Sequence, residues 1–190
     1  QIIEVFAKPN ADFTVDVTSG CQPLDVTFTN ASDIADSCSW NFGDGSFLLD
    51  SCFTTETHQY INTTSSSRLS QLAEVFVFTN NGCSDTADIT ITVNPEIIAS
   101  FDSVPSGCSP HQVSFQNNST GAQSYEWDFG DMQTSAINNP NHLYNNSTFF
   151  DQSQIIELIA ISPFDGCSDT AYQIIEVFAK PNADFTVDVT

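Results

Sequence analysis

Ser37-Cys38-Ser39-Trp40-Asn41-Phe42-Gly43-Asp44-Gly45-Ser46 places a cysteine, a tryptophan and a phenylalanine at every second position, then breaks into glycine and aspartate. Side chains two apart share one face of an extended strand, so Cys38, Trp40 and Phe42 make an apolar face opposite Ser39 and Asn41. Gly43-Asp44-Gly45-Ser46 is turn chemistry, because glycine supplies positive φ and aspartate closes an Asx turn. A strand with one wet side that runs into a tight turn belongs in an antiparallel sheet.

The neighbouring segments read the same way. Upstream, Leu24 to Thr29 presents Leu24, Val26 and Phe28 on one face, and Asp12 to Val17 presents Phe13, Val15 and Val17. Downstream, residues 47–62 read as a loop with a short strand near His58-Gln59-Tyr60, and Thr63 to Ser67 as a polar tip. Leu72 to Thr79 and Asp88 to Val93 form a hairpin across Asn80-Asn81-Gly82, where Asn-Gly is the strongest short-range hairpin signal. No segment sustains a 3.6-residue period. Short strands separated by Gly, Pro and Asn turns predict an all-β antiparallel sandwich.

The landmarks recur. Gly20-Cys21, Trp40 to Asp44, His58-Gln59-Tyr60 and Gly82 to Ala87 return as Gly107-Cys108, Trp127 to Asp131, His142-Leu143-Tyr144 and Gly166 to Ala171. Two homologous domains of about 86 residues follow, each large enough for a core of its own. In the second, Ser100 to Ser103, Gln112 to Gln116, Ser124 to Phe129, Ile155 to Ser162 and Ala171 to Ala179 are the expected strands, with a turn at Pro163 to Gly166. Above this lies a longer repeat: QIIEVFAKPNADFTVDVT occupies Gln1 to Thr18 and again Gln173 to Thr190, so the sequence returns to its start after 172 residues. Fixed self-similarity is the signature of a tandem array. It divides the chain into 1–8, the last strand of a preceding domain; 9–94, the first domain; 95–180, the second; and 181–190, the first strand of the next repeat. Positions 1 and 190 are then expected to be edges of a window in a longer polypeptide. Lys8-Pro9-Asn10 and Asn94-Pro95-Glu96 are the linkers, short and stiffened by proline.

Lys8, Arg68 and Lys180 are the only fixed cations against 24 carboxylates, for a formal net charge of −21. Phosphate binding needs clustered Lys and Arg, which argues against nucleic acid as a partner. The acidity reads as solubility and repulsion between neighbouring copies. No run of residues reaches the length of a membrane span. Six cysteines, four of them at matching landmarks in small β-rich domains, indicate disulfides and an oxidising compartment. The expected pairs are Cys21 with Cys83, Cys108 with Cys167 and Cys38 with Cys52. There is no Cys-x-x-Cys spacing for a metal.

Trp40-Asn41-Phe42-Gly43-Asp44-Gly45 and Trp127-Asp128-Phe129-Gly130-Asp131, each followed by a His-x-Tyr at His58/Tyr60 and His142/Tyr144, resemble the polycystic-kidney-disease (PKD) domain. The resemblance implies an Ig-like seven-stranded β-sandwich that serves extracellular proteins as spacer, stalk or adhesive repeat. The added Gly-Cys pairs look like the PKD arrays of surface and secreted proteins of Bacteroidota-type bacteria. Asn41 stands where the family usually has Asp, and Met132 replaces the second glycine, so the turn after Asp131 is expected to differ from the one after Asp44.

Read from the residues, Trp40 and Trp127 are core side chains, and sugar stacking is the lesser alternative. Asp44 and Asp131 satisfy turn N–H groups; as Ca²⁺ ligands they are weak candidates, because a hard cation needs several converging oxygens. His58 and His142 are hydrogen-bonded sandwich residues, and His111 has less claim to a role. No nucleophile elbow, phosphate loop or paired-carboxylate setting is present, so no enzyme and no cofactor are expected. Asn-x-Ser/Thr sequons begin at Asn30, Asn62, Asn117, Asn118, Asn145 and Asn146. Asp85-Thr86-Ala87, Asp102-Ser103-Val104 and Asp169-Thr170-Ala171 resemble the Asp-Ser/Thr-aliphatic O-glycosylation motif of Bacteroidota, which makes Thr86, Ser103 and Thr170 candidates for covalent glycans.

The function expected is a structural repeat of an extracellular or cell-surface fibre or adhesin stalk, with copies of itself in a linear array as partner. At about 3.3 Å per strand residue, two domains advance roughly 70 to 80 Å per repeat. Two alternatives stand beside it. One is a carbohydrate-binding accessory module of a secreted hydrolase, holding surface glycans on Phe149, Phe150 or Phe164. The other is a subunit polymerised by strand exchange, with the recurring segment as donor strand.

Overall fold

The computed structural model describes residues 2–49, 52–64, 66–164 and 166–181. It is all-β, with no helix among the described residues. The chain divides into two compact units, Gln1–Glu96 and Ile97–Thr190.

The first unit stacks two sheets. One holds Phe13–Val15 (β1), Leu24–Asn30 (β3) and Thr55–Tyr60 (β6) in the order β1-β3-β6. The other holds Ser19–Cys21 (β2), Ser37–Asn41 (β4), Phe47–Leu48 (β5), Leu69–Phe78 (β7) and Ser84–Asn94 (β8) in the order β2-β8-β7-β4-β5. All pairings are antiparallel except β2 with β8. Alternation decides what lies between the sheets. Val26 and Phe28 from β3, Cys38 and Trp40 from β4, Ala73, Val75 and Val77 from β7, and Ile91 and Val93 from β8 are all buried. Aromatic edges meet faces at the centre: the Trp40 ring lies 5.2 Å from Phe13 and 6.0 Å from Phe28, both close to T-shaped.

The second unit repeats the plan. Thr134–Ser135 (β12), Ser124–Asp128 (β11), Gln152–Ile161 (β14), Ser168–Phe178 (β15) and Gly107–Cys108 (β9) form one sheet in that order, with β9 parallel to β15. His111–Ser114 (β10) and Asn141–Tyr144 (β13) form the other. Phe101, Phe115, Trp127, Ile156, Leu158, Ile175 and Val177 fill the interior, and Trp127 meets Phe101 at 5.0 Å in the geometry of Trp40 on Phe13.

Several expected elements change. The strand expected over Asp12 to Val17 stops at Val15, because the Asp16 carboxylate accepts from the backbone N–H groups of Val17 (2.9 Å) and Thr27 (2.8 Å), and the chain crosses to the other sheet as β2. Backbone and side-chain hydrogen bonding to Thr27 holds the Asp16 carboxyl below the usual carboxylate range. The expected strand at Ser100 to Ser103 reduces to a single bridge, Phe101 with Asn117. Residues 2–8, expected as a strand, form none. The same residues form the end of β15 at 173–178, where β14 supplies a ladder; a strand needs a neighbour to pair its backbone. Gln1 lies outside the described residues, as does nearly all of the expected first strand of the next repeat at 181–190.

The cysteine pairing is corrected. Cys38 and Cys52 are bonded, with Cα atoms 4.9 Å apart, tying β4 to the loop before β6. Neither Cys21–Cys83 nor Cys108–Cys167 forms: Cys83 and Cys108 are free thiols, while Cys21 and Cys167 are disulfide-bonded. The reason is strand length. Cys21 is in register with Asn94, at the C-terminal end of β8, and Cys83 immediately precedes Ser84 at the other end. At about 3.3 Å per residue the two are roughly 33 Å apart, and a disulfide needs Cα atoms within about 7 Å. Cys108, in register with Phe178, and Cys167, next to Ser168, are separated along β15 in the same way.

Two of the expected glycosylation asparagines are also corrected. Asn62 is fully buried, and its Nδ2 donates to the carbonyls of Ser67 (2.8 Å) and Val93 (2.9 Å) while its Oδ1 accepts from the backbone N–H and hydroxyl of Thr64. Asn146 makes the equivalent bonds to Phe150, Val177 and Thr148. An amide nitrogen enclosed by two carbonyls has no room for a sugar, so both asparagines are structural. Asn62→Ala would strand several buried groups at about 1–3 kcal/mol each. Urea unfolding is expected to show a loss of at least about 3 kcal/mol for Asn62→Ala, against about 0.5 kcal/mol for the exposed Asn118→Ala.

Candidate functional site

The recurring motif residues converge on one turn in each unit. In the first, β4 delivers Phe42 to the turn, where its N–H donates to the Ser46 carbonyl at 3.1 Å. Asn41 Oδ1 accepts from Gly43 N–H (3.0 Å), and Asp44 Oδ1 accepts from Ser46 N–H (2.9 Å). The other Asp44 oxygen accepts from His58 Nε2 at 2.7 Å. The His58 ring stacks on Phe42, centroids 4.2 Å apart, and meets the edge of Tyr60 at 4.7 Å. Tyr60 Oη then donates to the Phe42 carbonyl at 2.9 Å. The His-x-Tyr of β6 therefore clamps the end of β4 from the opposite sheet. Gly43, at φ 84°, lies so close to β7 that a Cβ would come within 2.5 Å of the Leu72 carbonyl oxygen.

The second unit builds the same clamp. Asp131 accepts from Gln133 N–H (3.2 Å) and His142 Nε2 (2.8 Å), the His142 ring stacks on Phe129 at 4.1 Å, and Tyr144 Oη donates to the Phe129 carbonyl at 3.0 Å. The expected difference between the turns is overturned. Phe129 N–H reaches the Gln133 carbonyl at 3.0 Å, as Phe42 reaches Ser46, and Met132 adopts φ 70° where Gly45 has 95°. The clamp imposes the turn, and Met132, with its side chain almost wholly in solvent, accepts a left-handed backbone.

Burial raises the Asp44 carboxyl, but hydrogen bonds from His58 and Ser46 outweigh it and hold the group below the usual carboxylate range. Burial also pushes the Tyr60 and Tyr144 phenols far up, so both remain neutral donors. Both oxygens of Asp44 and of Asp131 are engaged in hydrogen bonds at their turns. No group of three or more His, Cys, Asp or Glu able to hold a metal exists among the described residues. Trp40 and Trp127 are core residues, closed to sugars. His111 Nε2 bonds the Pro105 carbonyl at 2.8 Å. A shallow cleft of about 520 Å³ lies beside Glu126, Asp128, Thr134, Ser135 and Glu157. Among the described residues of the second unit, Phe149, Phe150 and Tyr172 are exposed and Phe164 is half-buried.

Sequence reasoning missed two recurring roles. One is the buried asparagine, whose signal was the repeated spacing of Tyr60, Asn62 and Thr64 in Tyr144, Asn146 and Thr148. The other belongs to the aspartates of the suspected glycosylation motif. Asp85 Oδ2 accepts from Ala11 N–H (3.1 Å) and its Oδ1 pairs with Lys8; Asp169 Oδ2 accepts from Ala99 N–H (2.8 Å). Each fastens the segment leading into its unit to the tip of the long hairpin. Of the glycan candidates, Thr86 and Ser103 are exposed and Thr170 is half-buried.

The sandwich and its clamped turn define a class of Ig-like β-sandwich modules. Residues 92–152 match the PKD domain family, and the chain contains a PKD-type Ig-like domain. No curated protein matches this chain in sequence. Among solved structures, the chain is similar to the PKD1 domain of the Vibrio cholerae metalloprotease PrtV, with 26% identity over 46% of this chain and 98% of that one and a TM-score of 0.35. It is also similar to the PKD1 domain of Vibrio anguillarum Epp, at 19% identity over 47% and 98% with a TM-score of 0.36. A Methanosarcina mazei protein solved by NMR shares 33% identity over 48% of this chain and 57% of its own, with a TM-score of 0.35.

Two substitutions test the clamp. The Asp44 carboxyl is depressed when folded, so its contribution is full above the unfolded value of about 3.9 and is lost as pH falls through the lower folded value. Asp44→Asn is expected to cost about 1 kcal/mol at pH 7, with the gap to the parent closing as urea titrations are moved below pH 4. Met132→Gly removes a left-handed non-glycine residue without losing a contact. A gain of about 0.5–1 kcal/mol is expected in the same assay.

Proposed function

We propose that this chain is a non-catalytic structural repeat of an extracellular fibre or adhesin stalk, giving reach and attachment rather than chemistry. One observation carries the reading. In each unit the chain comes in at the tip of the long hairpin, where Asp85 or Asp169 holds it, and leaves from the far end of the last strand. A unit threaded from end to end adds length with every copy, and the eighteen-residue recurrence after 172 residues supplies the copies. PKD-type character and disulfide bonds support an extracellular setting. No helix among the described residues is long and apolar enough to cross a membrane. O-linked glycans on Thr86, Ser103 or Thr170 belong to the same proposal.

The mass of native material after reduction and boiling in denaturant tests it, read against the 20.7 kDa of this sequence. A mass many times larger is expected, with any heterogeneous excess assigned by peptide mass spectra to Thr86, Ser103 or Thr170. A species near one repeat would overturn the covalent array and favour subunits joined by strand exchange.

A further inference from the structure

Each unit carries one cysteine at either end of its longest strand, and the two cannot reach each other. Cys83 lies at the N-terminal end of the first unit: its carbonyl accepts from Thr79 N–H at 2.9 Å in the β7–β8 turn, two residues before the Asp85 that holds Lys8 and Ala11. Cys167 has the same place in the second unit, where its carbonyl accepts from Ser162 N–H at 2.7 Å, two residues before the Asp169 that holds Ala99. Cys21 and Cys108 mark the opposite ends, in register with Asn94 and Phe178, where the chain departs. Cys21 and Cys167 are disulfide-bonded. Cys83 and Cys108, which occupy the equivalent places in the other unit, are thiols, Cys108 exposed and Cys83 half-buried.

On the tandem reading above, we infer that Cys108 of one repeat and Cys83 of the following repeat form a disulfide across the joint between them. The distances along the chain allow it. Phe178, the register partner of Cys108, is the same residue as Phe6 in the recurring segment. From Phe6 the chain is only two residues from Lys8, which pairs with Asp85, and five from Ala11, whose N–H donates to Asp85. Five residues span at most about 18 Å even when fully extended, and the bonds of Lys8 and Ala11 to Asp85 hold the segment against the hairpin that carries Cys83. The C-terminal end of one repeat is thereby delivered to the N-terminal hairpin of the next.

The step is an oxidation. Two thiols lose two protons and two electrons to a disulfide-bearing oxidoreductase, or to a small disulfide, which is reduced to its two thiols while the Cys108–Cys83 bond forms. In an oxidising compartment the joint is then closed twice, by the peptide linker and by sulfur. Bending about a linker of so few residues is lost, and the linker is no longer the only connection that bears load.

The test uses two consecutive repeats in one chain, oxidised with glutathione disulfide, with free thiols labelled in denaturant before reduction and the remainder labelled with a heavy tag afterwards. Bonding across the joint is expected to leave two free thiols, the first Cys83 and the last Cys108, and a non-reduced peptic digest should contain the Cys108 peptide linked to the Cys83 peptide. Four free thiols would overturn the inference, and so would none, which means pairing within one repeat. A linked pair of two Cys83 or two Cys108 peptides would overturn it as well, showing lateral bonds between molecules. Cys108→Ser in the first repeat only is expected to free the second Cys83 while leaving the Cys38–Cys52 peptide linked, which separates loss of this bond from misfolding. This chain is covalent by design, so its result is independent of the native mass; failure of the tandem reading would show only in the reduced native material.

Discussion

The long hairpin is the constraint from which the rest of each unit follows. β7 and β8 pair in an unbroken ladder from Leu69 with Val93 to Phe78 with Ser84, and β14 with β15 from Gln152 with Val177 to Ile161 with Ser168. One register decides three things together. It turns Ala73, Val75, Val77, Ile91 and Val93 inward as the floor of the core. It gives β4 and β2 the two free edges on which to pair. It sets the distance between the hairpin tip, where the preceding segment is fastened, and the far end, where the chain leaves. A slip of one residue would invert every inward side chain and move the cysteines off their ends.

Against that floor, the second sheet is locked by polar contacts at its margin as well as by aromatic packing. In the Asp44–His58–Tyr60 and Asp131–His142–Tyr144 clamps the aspartate accepts an N–H of its own turn, while from the opposite sheet the histidine holds that carboxylate and the tyrosine binds the carbonyl at the end of the strand. Asn62 and Asn146, each two residues beyond its clamp's tyrosine, tie a loop to the last strand through Val93 and Val177. These groups are buried or half-buried and paired, so they specify one arrangement of the two sheets, where apolar packing alone tolerates several. Met132 shows how firmly: the clamp holds the turn in shape although the residue at its left-handed position has changed from glycine to methionine.

The recurring segment shows the limit of local sequence. Ile3 and Val5 are 82% and 90% exposed, while Ile175 and Val177, the same residues in the same order, are 0% and 1% exposed. Nothing in the eighteen residues differs. At 173–178 the segment has β14 as a ladder partner and a sandwich interior to fill, and at 2–8 it has neither in this structure.

The alternation of Cys38, Trp40 and Phe42, the Asn-Gly turn after β7 and the recurrence of each landmark were enough to read an all-β, two-unit chain, because period-two patterning and turn chemistry are local properties. Trp40 and Trp127 as core and His58 and His142 as hydrogen-bonded partners were legible for the same reason. The pairing of cysteines was not. Matching positions in two halves of a sequence suggest partners within each half, but the length of one strand separates them by several times the reach of a disulfide. Nor could the sequence distinguish Asn62 and Asn146 from surface sequons, since burial is a property of what surrounds a residue. Local pattern determined which segments are strands and which face of each is apolar; tertiary structure decided which ends meet, because only the assembled sheet converts positions along a chain into distances in space.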